Sequence, residues 1–367
     1  MIVYILIVLG ISIWYFDLLG KYTRLWKNIS KQSRLPSKEV KSISIAIPFR
    51  NEENCLPGLI QSLQVMQTDG LEVEVLFVDD HSTDKSVELI SRASFEWNVR
   101  VLTLEDAYGK KEALQLAWRE AKGEIIVQTD ADCTMTEIWL QTIVAEFQNP
   151  NVVLVSAPVQ YHLPQNFWQR MVSLDFNALI AIGAAHIAWD APMICNGANM
   201  AYRKELTNGA ALHMQKASGD DVFLLQNAHN QAGGEIVFVK NREAMVTTNA
   251  PSSFQEFWNQ RLRWASKNGE YDIAKNRYIL IALWFFNVLI LVSFLSFSKV
   301  GVLAGVFMIL VKVLAEDRFY TSFVDLFKIK LWFKTILLGQ PFHICYMAIV
   351  PPVSQFVKYK WKERKLR

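Results

Sequence analysis

Two aspartates two residues apart, Asp130 and Asp132, follow the charge-free run IIVQT. In an extended chain such residues point to the same side, although a turn after the strand can redirect the second. Two carboxylates so placed can hold Mg²⁺ or Mn²⁺, whose remaining positions take water and phosphate oxygens. A second acidic pair, Asp79-Asp80, closes VEVLFVDD. A carboxylate there can accept a hydrogen bond from a nucleobase imide, while Ser82 or Thr83 can cap a helix starting near Asp84. A third pair, Asp220-Asp221, follows Gly219 and precedes VFLLQNA. Adjacent carboxylates can separate their pKa values and leave one suited to take a proton near neutrality. The alternative is that Asp220 caps the next helix and both acids are solvated. Lys110, in GKKEAL, opens a helix where a cation opposes the dipole. A nearby phosphate would offset that cost, and so would solvent. In QRLRW, Gln260 and Trp264 are four apart with Arg263 beside them. An indole stacks on a sugar ring, an amide bonds its hydroxyls and a guanidinium neutralises diphosphate charge. The same residues also suit a plain interfacial anchor.

The acidic pairs at 79–80 and 130–132 sit at the ends of short apolar runs. Strands are expected over 42–49, 73–80, 99–105, 124–132 and 152–159, and helices over 53–67, 83–94, 109–122 and 136–147. Such alternation predicts a mostly parallel sheet with both faces covered, in which ligands gather at the carboxyl ends of strands. The α/β region is expected over 42–250, with a helix from about 165 to 188. Residues 252–278 form an amphipathic interfacial region: Phe254, Phe257, Trp258, Leu262 and Trp264 can lie at a bilayer surface while Arg261, Arg263 and Lys267 meet headgroups. Packing of that helix against a core is the plainer reading.

The ends are hydrophobic. The first sixteen residues carry no charge, and Asp17, Lys21, Arg24 and Lys27 follow. A signal peptide has the reverse order, so residues 1–20 are expected to be an uncleaved anchor with its basic flank in the cytosol. A membrane region is expected over 279–357: a span at 279–298, a second at 300–315 interrupted by Lys312, and a segment at 335–357 broken or re-entrant because of Pro341, Pro351 and Pro352. Residues 358–367 form a basic tail expected in the cytosol. A net charge of +3 over 367 residues is too small and dispersed for a nucleic-acid surface. No HExxH, GxGxxG or Walker loop is present, and the four cysteines show no metal or disulfide spacing.

IPFRNEE, VDDHSTD, GKKEAL, DAD, GDD and QRLRW, in this order, resemble the membrane-attached family 2 glycosyltransferases, inverting enzymes of GT-A fold. The branch with the Q-x-x-R-W motif includes cellulose, hyaluronan and ceramide glucosyl transferring enzymes. The resemblance covers about 42–300 and implies an α/β GT-A nucleotide-diphospho-sugar transferase domain with flanking transmembrane helices. It implies that Pro48 and Glu52 lie in the first donor-binding loop, Asp80 contacts the nucleobase with Asp79 supporting it, and Lys110 approaches the donor. By the same resemblance Asp130 and Asp132 bind the metal-diphosphate unit, Asp221 is the general base, and Gln260, Arg263 and Trp264 close the site. Where the family often has Glu-Asp before the base, this chain has Gly-Asp-Asp, which leaves the role of Asp220 open. The implied activity is inverting, Mg²⁺- or Mn²⁺-dependent transfer from a nucleotide-sugar, most often a UDP-sugar, to a lipid or lipid-linked acceptor at the cytosolic face of the cell membrane. A processive polysaccharide synthase and an inactive membrane scaffold are the alternatives.

Overall fold

The computed structural model describes residues 1–30, 40, 42–208, 220–231, 233–266, 273–330, 333–357, 359–361 and 364–366. After helix α1 (Ile2–Asn28), strands and helices alternate: β1 (Ser42–Phe49), α2 (Leu56–Gln64), β2 (Glu72–Asp79), α3 (Ser86–Arg92), β3 (Asn98–Thr103), α4 (Lys110–Glu120), β4 (Ile125–Thr129), β5 (Thr134–Met135), α5 (Trp139–Val144), β6 (Val152–Ser156) and β7 (Val159–Tyr161). Helix α6 (Phe167–Ala188) interrupts the alternation before β8 (Asn199–Arg203), α7 (Asp220–Asn230), β9 (Glu235–Phe238) and β10 (Val246–Thr248). The rest is largely helical: α8 (Phe254–Ala265), α9 (Ala274–Leu295), α10 (Lys299–Thr321), α11 (Val324–Phe327), α12 (Phe333–Ser354), then the short strands β11 (Tyr359–Trp361) and β12 (Arg364–Leu366).

Two units result. Residues 29–163 and 192–250 form an α/β unit; 1–28, 164–191 and 251–367 form a helical one. In the α/β unit seven strands run in the order β3-β2-β1-β4-β8-β6-β9. Strands β3, β2, β1 and β4 are parallel and β8 is antiparallel to β4. The central residues of β1, β2 and β4 are buried on both faces, which explains their near-continuous apolar runs. Helix α4 covers one face, packing Ala113, Leu114, Ala117 and Trp118 on Ala46, Leu76, Val78 and Ile126. The Trp118 indole donates to the Tyr202 hydroxyl at 2.7 Å, and that hydroxyl donates to Gln128 at 3.2 Å. A Cβ on Gly123, just before β4, would lie 2.4 Å from the Ser44 backbone nitrogen, so only glycine admits this approach to β1.

Successive strands step outward from β1 to β2 and β3, then the chain crosses to the other side of β1 to lay down β4. That reversal is a topological switch point. Pairing of β1 with β4 stops at Ala46–Gln128, whereas pairing with β2 continues to Phe49–Asp79. A crevice therefore opens between the carboxyl ends of β1 and β4. Pro48, which cannot donate to a ladder, lies beyond the last β4 partner. The single strand expected over 152–159 is two strands. Pro158 intervenes, and β7 joins a second sheet of order β5-β10-β7.

In the helical unit α1, α6, α9 and α12 are each long and apolar enough to cross a membrane. Within the 42–250 region, residues 164–191 group with the flanking helices. Helix α6 is apolar around most of its circumference and needs burial on more than one side. A break in 335–357 is not seen, since α12 runs continuously through Pro341. Pro352 cannot donate to the Ala348 carbonyl, and the Trp284 indole does so instead at 3.0 Å. Helix α10 approaches α9 closely through Gly301 and Gly305; a Cβ at Gly305 would lie 2.7 Å from the Phe294 ring. Helix α1 packs alongside, with Tyr15 stacked on Phe286 at 4.4 Å and the Trp26 indole bonded to the Ser322 carbonyl at 2.9 Å.

Candidate active site

Three loops meet at the carboxyl ends of β1, β2 and β4. The loop after β1 and the loop after β2 are laced together. Arg50 donates to the carbonyls of Asp80 and His81 at 2.6 and 3.2 Å. The Asn51 N–H donates to Ser82 Oγ at 3.0 Å, and the Thr83 N–H donates back to Asn51 Oδ1 at 2.8 Å. The Glu52 N–H reaches Ser86 Oγ at 2.8 Å, the Glu53 N–H reaches Asp84 Oδ2 at 3.0 Å, and Glu53 accepts from the Lys85 N–H at 3.1 Å. Asn51 and His81 both have positive φ, 51° and 57°, a conformation that these surrounding bonds hold in place. Ser82 and Thr83 thus serve the loop and do not cap a helix. Helix α3 starts later, at Ser86, where the Ser86 N–H donates to Asp84 Oδ1 at 3.0 Å. Burial raises the Asp84 carboxyl, but hydrogen bonds from Ser86 and the Glu53 N–H outweigh it, and its pKa lies below the ordinary value.

Asp79 and Asp80 are both buried at the end of β2. Asp79 is spent on structure: its Oδ1 accepts the Ser82 N–H at 2.9 Å. The Asp80 backbone N–H bonds to Phe49 at 2.9 Å, tying β2's end to β1's. Next to them the His81 ring lies 4.4 Å from that of Tyr108, which is exposed.

Asp130 and Asp132 stand just past β4 in a turn closed by the Cys133 N–H on the Asp130 carbonyl at 3.1 Å. Lys110, at the start of α4, forms an ion pair with Asp130. Asp132 Oδ2 accepts from the Thr248 hydroxyl at 2.8 Å, fixed by the pairing of β10 with β5. Burial, with Asp132 and Asp130 adding to it, pushes the Cys133 thiol well above its usual range, so it stays neutral. Among the described residues no three His, Cys, Asp or Glu side chains gather as a metal cage. Two carboxylates with hard oxygen donors fit a cation that keeps most positions for water and phosphate, as Mg²⁺ and Mn²⁺ do, and do not fit a structural zinc.

Asp220 and Asp221 open α7. Asp221 is partly buried; its Oδ1 accepts the Val222 N–H at 2.9 Å and its carbonyl accepts from the Cys195 thiol at 3.3 Å. Gly219 lies outside the described residues. Pro48 is buried in β1 and Glu52 is half-buried in the loop that follows.

Gln260, Arg263 and Trp264 belong to the helical unit, on α8. Trp264 stacks on Phe176 with ring centroids 5.9 Å apart. Arg261 does not face headgroups: it is 4% exposed, paired with Asp175 and placed over the Phe257 and Trp264 rings at 4.6 and 4.5 Å. Lys267 lies outside the described residues. Sequence reading passed over Arg50, Tyr108 and Thr248. An exposed aromatic just before Gly109-Lys110 was a usable signal for Tyr108; nothing local marked Thr248, whose role depends on strand pairing.

Residues 44–209 match the model of the family described as Glycosyl transferase family 2. An undecaprenyl-phosphate 4-deoxy-4-formamido-L-arabinose transferase of Pectobacterium carotovorum subsp. carotovorum is 34% identical over 97 residues, 26% of this chain and 30% of that protein. Its counterpart in Photorhabdus laumondii subsp. laumondii is 33% identical over 98 residues, with the same coverage. The chain thus spans less than a third of the length of these curated relatives. A solved mannosyltransferase from Pyrobaculum calidifontis, in complex with GDP-Man and Mn²⁺, superposes with a TM-score of 0.56 over 96% of this chain and 97% of that one, at 16% identity.

Proposed function

From the family 2 glycosyltransferase catalytic domain that the chain carries, of α/β GT-A fold, we propose that it transfers a sugar from a nucleotide-sugar to a lipid or lipid-linked acceptor at the cytosolic membrane face, with inversion. The observation that carries this reading is the triad of Lys110, Asp130 and Asp132 at the switch-point crevice. An ammonium and two carboxylates suit a diphosphate and its counter-cation. Bound there, Mg²⁺ or Mn²⁺ would supply charge neutralisation for the leaving diphosphate. Lys110 turns from Asp130 to a phosphate oxygen and Asp80 recognises the base from its buried position. Pro48 and Glu52 shape the first donor-binding loop, and Asp79 supports it. Asp221 takes the proton of the acceptor hydroxyl as that oxygen attacks the anomeric carbon and the bond from that carbon to the nucleoside diphosphate breaks, the diphosphate leaving with the electron pair. Asp220 tunes Asp221, and Gln260, Arg263 and Trp264 bind donor and acceptor. The lipid acceptor is supported by the relatives named for undecaprenyl phosphate and by the four long apolar helices. A role in cell-envelope biogenesis follows from such an acceptor. Kinship to the cellulose, hyaluronan and ceramide branch rests on QRLRW alone.

The test is transfer by the purified, detergent-solubilised protein from a panel of UDP- and GDP-sugars, with Mn²⁺ or Mg²⁺ and a membrane lipid extract. A labelled product that partitions with lipid, needs metal and disappears in Asp132→Asn and Asp221→Asn is the expected result. Long water-soluble chains would make the protein a processive polysaccharide synthase. Absence of donor binding across the panel would make it a scaffold.

A further inference from the structure

In the helical unit, the ammonium groups of Lys21 on α1 and Lys275 on α9 each lie 3.4 Å from the centre of the Trp189 ring. The two nitrogens are therefore within twice that distance of one another. Each gains from the indole's π-face, but the arrangement holds two like charges close together. Asp190, next in the chain, acts electrostatically on Lys275. Arg24 and Arg277, exposed close by in the chain, add positive charge. Among the described residues neither ammonium has a carboxylate within ion-pair distance. One phosphate offering an oxygen to each would relieve the repulsion.

Below this cluster runs a groove of about 700 Å³, lined on α1 by Ile11, Trp14 and Leu18 and on α9 by Tyr278, Ala282 and Phe285, with Trp189 and Lys275 at its head. From Lys21 to Ile11 is roughly 15 Å of helix at 1.5 Å per residue. That matches about half of a 30 Å hydrocarbon core, one leaflet. Tyr278, Ile281 and Phe285 remain 72%, 60% and 40% exposed, so the groove is open along its side.

We propose that this groove seats one anionic phospholipid, its phosphate held between Lys21 and Lys275 and one acyl chain laid between α1 and α9. The charge and the apolar depth lie in the order in which a leaflet presents phosphate and hydrocarbon. The site is separate from the transfer chemistry proposed above and stands whether or not that reading holds.

Native mass spectrometry of the full chain in detergent tests it, with phosphatidylglycerol, phosphatidylcholine or glycerol phosphate added. The expected result is one phosphatidylglycerol retained per chain in preference to phosphatidylcholine, and not displaced by glycerol phosphate. The double variant Lys21→Gln/Lys275→Gln should weaken that retention by about tenfold, the loss of charge-assisted hydrogen bonds. Ala282→Trp, which fills the groove and keeps both lysines, should abolish it. Lys299→Gln, the same charge change in the turn between α9 and α10, should leave it unaltered. Equal retention of the two lipids, displacement by glycerol phosphate, or unchanged retention in both site variants would overturn the proposal. Thermal unfolding of each variant separates loss of the lipid from loss of the fold.

Discussion

Lys110 and Asp130 neutralise each other, so each withholds from a donor what the other occupies. Removing the lysine has opposite effects on two ligands. Lys110→Met removes the ammonium paired with Asp130, and affinity for Mn²⁺ alone should rise a few-fold, the worth of a partly exposed ion pair at about 1 kcal/mol. Affinity for a nucleoside diphosphate with Mn²⁺ should fall. Calorimetric titration of each ligand decides it; a fall in both would mean that the lysine only supports the turn. Asp84 gives a pH prediction. Its pKa is depressed in the folded chain, so its contribution to stability is complete above the ordinary carboxylate value and is lost as pH falls through the folded value. Asp84→Asn should therefore flatten the acid limb of a stability profile and leave the neutral region changed by no more than the lost bonds. The position of the acidic pairs at 79–80 and 130–132 was legible because each ends a strand. The hydrogen-bonded exchange between the loops at 50–53 and 80–86 was not, because residues about thirty apart in sequence meet only through the pairing of β1 with β2.

At the scale of elements, one glycine and two proline positions carry most of what local pattern could not supply. Gly123 reads as a turn residue, yet its requirement comes from β1's backbone 2.4 Å from where a Cβ would sit. Gly123→Ala should destabilise the α/β unit by about 1–3 kcal/mol, the range for overpacking, lowering the thermal midpoint while leaving the helical unit's detergent behaviour unchanged. Parallel strands 42–49 and 73–80 were predictable almost to the residue from their apolar runs. The strand over 152–159 was mispredicted because Pro158 divides it between two sheets. The proline-bearing segment at 335–357 forms one helix where a break was one of the two expectations. Its lost donor at Pro352 is replaced by the Trp284 side chain, a partner more than sixty residues away that no local rule supplies. Trp284→Phe keeps the ring and removes the donor, and should cost about 1 kcal/mol, seen as increased amide exchange at the carboxyl end of α12.

At the scale of the molecule, the question is which of the long helices cross the bilayer. Helix α6 is long enough, but Leu163 and Pro192 at its two ends both belong to the α/β unit. A crossing would put strands β7 and β8 of one unit on opposite faces of a membrane, with residues 189–198 returning as irregular backbone through hydrocarbon. We therefore expect α6 not to cross. Helix α8 follows β10 after five residues. Helix α12 is tied to both at its middle: Tyr346 hydrogen-bonds to Asp175 of α6, and the Phe342 and Tyr346 rings lie 5.4 and 5.6 Å from Phe257 of α8. From Tyr346 to Ser354 about 12 Å of helix remains. Strand β11 then packs against α8. From that packing and the basic sequence after α12 we expect the carboxyl end to lie on the same face as Lys21, Arg24 and Lys27, as positive residues do on the cytosolic side. We expect α1 and α9 to cross and α10 to bring the chain back, with Lys312 and Glu316 paired inside the helical unit. A fluorescent reporter fused after Arg367 should be bright and an alkaline phosphatase fused there inactive, while a phosphatase in the turn at Phe297 should be active. Phosphatase activity at the carboxyl end would mean that α12 crosses and that its contacts with α6 and α8 are made below the membrane surface.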